Sequence, residues 1–158
     1  MQVMTTLPQE NLNDVPQAAR NAEMVGFDMV ATMENRYEPF MPLAAAAIST
    51  KTINIGTAVA IAFPRSPMVV ASTCWDLNNA SGGRFVLGLG PQIKPHNEKR
   101  FSVPWSPPAP RIREYVMALR AIWKNWEHGE KLDFRGEHYT FTLMTPNFVP
   151  VSTHQAPI

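Results

Sequence analysis

The sequence predicts an α/β fold: the N-terminal half of a (β/α)8 TIM barrel, with parallel strands, crossover helices and a small hairpin insertion. Strand-like and helix-like segments alternate four times, and each interval between strands is long enough for a crossover helix, which makes the strands parallel. The strand segments are largely apolar, as expected for strands covered on both faces. A complete barrel takes roughly 200 to 250 residues. This chain has 158 and reaches Ala156-Pro157-Ile158 where a fifth strand is expected. The expectation is therefore either the front half of a larger enzyme, truncated before that strand, or a half barrel that completes its sheet by other means. Residues 1–158 are read as a single domain, without solenoid repeats or low-complexity tracts.

The elements follow in order. Gln2 to Leu7 is a short strand ended by Pro8. Asp14 with Gln17 three residues on looks like a capping box. Val15, Ala18, Ala19, Ala22 and Val25 then repeat at helical spacing, and Gly26 stands where a left-handed cap closes the helix. A second strand over 27–32 ends in the polar stretch Met33-Glu34-Asn35-Arg36-Tyr37-Glu38. Pro39 to Thr50 is a helix with four consecutive alanines and its prolines confined to the first turn. The third strand, 53–61, is nearly all apolar. Ser66 at N-cap and Pro67 at N1 open the third helix, and Ser81-Gly82-Gly83 closes it. The fourth strand is 84–90.

From Pro91 to Pro110 prolines interleave with Lys94, His96, Lys99, Arg100 and Trp105, and this long segment reads as an ordered, functional loop. Arg111 to Trp126 is an amphipathic helix with Ile112, Val116, Leu119, Ile122, Trp123 and Trp126 on its core face. Leu132 to Phe141 alternates around Arg135-Gly136 as a hairpin.

An apolar share of 45% supports a packed core, and a net charge of +1 provides no broad field for nucleic acid or anionic lipid. The expected partner is a small-molecule substrate, with neither nucleic acid nor membrane. Cys74 has no second cysteine to pair with and lies among apolar residues, which fits a buried thiol in a reducing cytoplasm. No basic-then-apolar leader and no run long enough to span a bilayer are present.

In a parallel barrel, chemistry gathers at the C-terminal strand ends. These are Leu7-Pro8, Glu34-Asn35, Phe63 to Pro67 and Gly90 to Lys94. Glu34 with Asn35 could hydrogen-bond a polar heterocycle or move a proton. They equally fit a helix cap or a pair with Arg36. Ser66-Pro67-Met68 could present free N–H groups to an anion, or only cap its helix. Gly88-Leu89-Gly90 starts like a dinucleotide fingerprint, but Pro91-Gln92-Ile93-Lys94-Pro95 follows where the third glycine belongs, so that reading fails. Gly90 instead suits the close approach of a flat ring. The histidines His96, His128, His138 and His154 lack metal-ligand spacing, and no nucleophile elbow or Walker loop is present.

Three segments together resemble the bacterial-luciferase-like family of flavin and deazaflavin oxidoreductases. They are Gly26-Phe27-Asp28 through Thr32-Met33-Glu34-Asn35, then Ile55-Gly56-Thr57-Ala58-Val59, and Ser66-Pro67 through Trp75-Asp76-Leu77 to Ser81-Gly82-Gly83-Arg84-Phe85-Val86-Leu87-Gly88-Leu89-Gly90. Phe134-Arg135-Gly136-Glu137-His138-Tyr139 is similar to the family's insertion after the fourth helix. The resemblance implies a redox enzyme using coenzyme F420, a deazaflavin, with FMN as the alternative. It places Glu34 and Asn35 at the catalytic pair, where many members carry an acidic residue followed by histidine. Asn35 departs from that pattern and cannot exchange a proton near neutral pH. Ala58-Val59 matches a strand bulge with a cis peptide beneath the ring, and Ser66, Gly90 and Gln92 match cofactor-side positions. The family anchors the cofactor phosphate mainly through segments after the sixth to eighth strands, beyond this sequence. A homo-oligomer, a dimer, is expected. A noncatalytic half barrel that binds flavin weakly, or dimerises through its open sheet edges, is the competing expectation.

Overall fold

A computed structural model describes residues 1–151. The expected approach to a fifth strand at Ala156-Pro157-Ile158, and His154, lie outside the described residues. The described residues divide into two compact units, one formed by residues 1–60 and 73–89, the other by 61–72 and 90–151.

The first unit is built on four parallel strands in the order β1 (Met4–Thr6), β2 (Met29–Thr32), β3 (Asn54–Thr57), β5 (Phe85–Val86), with β4 (Ala60–Ile61) following β3. Thr5, Val30, Ile55 and Phe85 align across the sheet in one row. Val30 and Ile55 are fully buried and Phe85 nearly so, each contributing about 1.5–3 kcal/mol relative to exposure. The crossover helices α1 (Val15–Val25) and α2 (Phe40–Ser49) pack on each other and bury Val15, Ala19, Leu43 and Ala46. The short alanine side chains let them approach closely.

Gly26 closes α1 in the left-handed region at φ 91°, as expected. The capping box does not form. Asp14 is itself helical and its side chain caps nothing, because a 3-10 turn over Leu12–Asp14 precedes α1 and takes its cap from Asn11, whose Oδ1 accepts from the Asn13 N–H at 3.1 Å. At α2 the capping carboxylate is Glu38, which accepts from the Phe40 and Met41 amides at 2.7 and 2.9 Å.

Two expected strands are each broken. The third splits into β3 and β4 around Ala58-Val59, whose peptide bond is cis. Here the backbone changes partner, since the Ala58 N–H goes to the Thr32 carbonyl at 2.7 Å and the Ala60 N–H to the Gly88 carbonyl at 2.9 Å. The fourth splits into β5 and β6 (Leu89–Gly90). At the break a side chain replaces the ladder. The Thr57 hydroxyl donates to the Gly88 carbonyl at 2.7 Å and accepts from the Gly88 N–H at 2.9 Å.

The Ser-Gly-Gly-Arg-Phe motif resolves into a clamp. After α3 (Pro67–Ser81), Gly82 and Gly83 take positive φ, and Ser81 Oγ accepts from the Arg84 amide at 3.2 Å. The Arg84 guanidinium then donates to the carbonyls of Ser81, Ala47, Thr50 and Ile53 and to the Thr50 hydroxyl, at 2.5–3.1 Å. It thereby satisfies the carbonyls that the end of α2 leaves open. On α1, one oxygen of Glu23 accepts from the Lys51, Thr52 and Ile53 amides and the Thr52 hydroxyl at 2.6–3.0 Å. Those bonds pull its carboxyl down to about 2, the Thr52 amide contributing most. Burial alone sets Cys74, whose thiol is pushed well above its ordinary range.

In the second unit, α4 runs Pro108–His128, starting three residues before the expected Arg111. Pro107, Pro108 and Pro110 crowd its start, where a missing N–H costs nothing. Its core face is Tyr115, Ala118, Leu119, Ile122, Trp123 and Trp126, so Tyr115 and Ala118 join the expected set while Ile112 and Val116 are only half-buried. The proline-rich segment contains a π-helical turn, His96–Arg100, where a continuous loop was expected. Antiparallel β7 (Phe134–Arg135) and β8 (Thr140–Phe141) form the hairpin, with its turn at 136–139 rather than around Arg135-Gly136. Glu114 of α4 accepts from the Glu137, His138 and Tyr139 amides at 2.7–3.1 Å.

Candidate functional site

The C-terminal ends of β1, β2, β3 and β5 meet at one side of the first unit's sheet. The Leu7 amide donates to Ala31 at 2.9 Å, and Gln9, two residues on, accepts from the Met33 amide through Oε1 at 3.3 Å. The next amide, Glu34, donates to the Val59 carbonyl at 3.3 Å. Val59 follows Ala58, and Ala60 bonds Gly88. Of Glu34, Ala58, Val59 and Gly90, expected to lie together at one end of the sheet, Glu34 and Val59 are joined by this bond and Ala58 adjoins Val59, with Gln9 and Gly88 beside them.

Glu34 is half-buried, whereas Asn35 is exposed and its Oδ1 accepts from the following Arg36 amide. Asn35 thus sits in a local turn. Val59 offers an apolar side chain that is 44% exposed beside half-buried Ala58. The glycine that matters sterically within this group is Gly88, since a Cβ there would overlap the Thr57 carbonyl.

Ser66, Gly90 and Gln92 belong to the second unit. Ser66 is exposed and its Oγ accepts from the Met68 amide at 3.3 Å, so it caps α3 as expected. The Gly90 carbonyl accepts from the Ala62 amide at 2.9 Å, and the Ala62 carbonyl from Arg65 at 2.9 Å. Gln92 adopts φ 60°, rare for a residue with a side chain, and its own Oε1 accepts from the Ile93 amide at 2.9 Å. Also in the second unit, Arg111 lies over the Phe63 ring at 4.4 Å and donates to the Tyr139 hydroxyl at 3.2 Å.

Sequence reasoning missed Gln9, Gly88 and Glu38. Each carried a signal: an amide side chain just past a strand, a glycine inside an apolar strand, and a carboxylate two residues before a helix start. Among the described residues no group of three His, Cys, Asp or Glu could hold a metal, and no helix is long and apolar enough to cross a membrane.

A parallel α/β sheet with crossover helices and polar groups collected at its strand ends is the arrangement in which ligand sites form outside the carboxyl ends of the strands. The profile of the family described as luciferase-like monooxygenase matches residues 1–158, and the chain belongs to that family. It is 54% identical, over 84% of its length and 39% of the relative's, to an uncharacterized protein of Mycobacterium tuberculosis. It is 32% identical to another protein of that organism, provisionally named a coenzyme F420-dependent oxidoreductase, over 86% of this chain and 38% of that one. Among solved structures it superposes on the oxygenating constituent of 3,6-diketocamphane monooxygenase from Pseudomonas putida, a complex with FMN. That match has a TM-score of 0.76 at 18% identity and covers 95% of this chain and 49% of that chain. The chain spans about two fifths of the length of the curated relatives it matches. The family is one of oxidoreductases and monooxygenases, and the expected fold class, α/β with parallel strands and crossover helices, holds.

Proposed function

We propose that this chain supplies strand-end residues of an oxidoreductase that transfers a hydride between reduced coenzyme F420 and a small organic substrate. The observation that carries the reading is the run of consecutive amides Met33 and Glu34, bonded to Gln9 and to Val59, which draws three strand ends into one polar-edged platform. The residues present fit a flat heterocycle. Ala58 presents only a methyl group, Val59 an exposed apolar surface, and Gln9 a side-chain amide at their edge. The bound coenzyme supplies the hydride chemistry, and the protein supplies orientation and electrostatics.

In this reading Glu34 holds or moves a proton at its carboxylate and Asn35 hydrogen-bonds without exchanging one. Ala58 and Val59 support one ring face, and cofactor-side roles for Ser66, Gly90 and Gln92 rest on the family resemblance alone. The whole protein acts as a cytoplasmic homodimer on a small molecule, without nucleic acid or membrane. F420 is favoured by sequence: 32% identity to the F420-named relative exceeds the 18% to the FMN complex. The FMN-dependent monooxygenase is the second reading, favoured by that complex's TM-score of 0.76.

Fluorescence titration of the purified chain with F420 and with FMN separates them. The proposal expects F420 to bind at least about tenfold more tightly, a difference of about 1.4 kcal/mol. Tighter FMN binding selects the monooxygenase. Binding of neither leaves the noncatalytic half barrel.

A further inference from the structure

Resting on the ring-site reading above, we infer that Thr57 is a positioning residue, whose hydroxyl holds Gly88, and through it the Val59 side chain, in the place that receives the ring. Gly56 pairs with Val86 in the parallel ladder. Carried on unbroken, that ladder would bring the Ala60 N–H to the Leu89 carbonyl, but it meets the Gly88 carbonyl instead, at 2.9 Å. The third strand therefore holds one residue more than its partner over this stretch, which makes the break a β-bulge. Such a slip turns the side chains that follow to the other face. Ile55 and Thr57 are buried at alternate positions, yet Val59, next in that alternation, is 44% exposed. A bulge interrupts the ladder, and here one side chain bridges the interruption. Thr57 Oγ1 donates to the Gly88 carbonyl at 2.7 Å and accepts from the Gly88 N–H at 2.9 Å. The clasp reaches Val59 by contact, because Val59 Cγ1 lies over Gly88, 3.3 Å from where a Cβ would stand. Thr57 is itself buried, so its part is to set the platform and not to touch the ring. A hydroxyl both donates and accepts, whereas valine has the same shape and does neither.

Thr57→Val and Thr57→Ser test this by fluorescence titration with F420 and FMN, at a temperature where circular dichroism shows each variant folded. T57V should raise the Kd for whichever ring the unsubstituted chain binds by about tenfold. T57S, which keeps the hydroxyl, should return it to within about twofold. A residue that only supported the fold would lower the melting temperature of T57V and leave the affinity of the folded protein unmoved. Hydrogen exchange at the Gly88 amide of the unsubstituted chain needs no variant, and it decides the matter should T57V fail to fold. A clasp that favours ring binding is favoured by it in return, so the ring should slow that exchange at least about threefold. T57V binding with unchanged affinity, T57S binding as weakly as T57V, or ring binding that leaves Gly88 exchange unaltered would each overturn the inference while sparing the ring site. Absence of binding by the unsubstituted chain to either ring removes both.

Discussion

The two units use the same device for different ends. In the first, Glu23 on α1 gathers the amides that lead into β3; in the second, Glu114 on α4 gathers the amides of the hairpin turn. Each is a carboxylate seated in a nest of backbone donors, of the kind that binds anions elsewhere. They differ in what stands behind them. Glu23 works beside Arg84, whose guanidinium holds the end of α2 and feels the Glu23 charge. The peptide they fix runs directly into β3, which leads to Ala58 and Val59. Glu114 fixes the turn of a two-stranded ribbon. A clasp on the path to a strand end should therefore affect ligand binding, and a clasp on a hairpin should not.

The largest effect is expected at Arg84. Arg84→Met removes every guanidinium bond and leaves the carbonyls of Ala47, Thr50 and Ile53 underbonded, lowering stability by about 3 kcal/mol in urea melts. Next comes Gly88→Ala. Its Cβ would press into the Thr57 carbonyl, costing about 2 kcal/mol and weakening ring affinity because Ala60 and Val59 must move with it.

Glu23→Gln should cost about 1 kcal/mol at neutral pH. The full shift of the carboxyl from 4.5 to about 2 would convert to about 3, but a partly exposed group is screened by solvent. The sign follows from linkage: the folded-state value is depressed, so the contribution is complete above pH 4.5 and vanishes as pH falls toward 2. The stability gap between the unsubstituted chain and E23Q should close over that window. Glu114→Gln is the smallest, below about 1 kcal/mol. Its signature is faster hydrogen exchange at Glu137, His138 and Tyr139 with ring affinity untouched. Equal loss of ring affinity in E23Q and E114Q would erase the distinction between the two clasps.

Much of the fold was legible because it is encoded locally. Gly26, Ser66-Pro67 and Gly82-Gly83 announce helix ends by backbone chemistry that needs no distant partner. The break at Ala58-Val59 was legible only through the family resemblance, which implied a bulge with a cis peptide there, and the break between β5 and β6 was not legible. Ala58-Val59-Ala60 is apolar throughout and reads as one strand, yet its pairing passes from Thr32 to Gly88, partners 26 and 28 residues away. The same reason hid Glu23 and Glu114, whose donors lie 28–30 and 23–25 residues along the chain. At the site, Glu34 followed from its position after a strand, and Ala58 and Val59 from the family resemblance. Gln9 was not legible, because its bond to the Met33 amide joins residues 24 apart in the chain.

Amide chemical-shift mapping of the intact chain with F420 tests the central claim, that the strand ends of the first unit are a ring site. The account predicts the largest shifts at Glu34, Ala58, Val59 and Gly88, with the hairpin amides of Glu137 to Tyr139 unmoved. Binding that shifts the hairpin and leaves Glu34 and Val59 in place would contradict it.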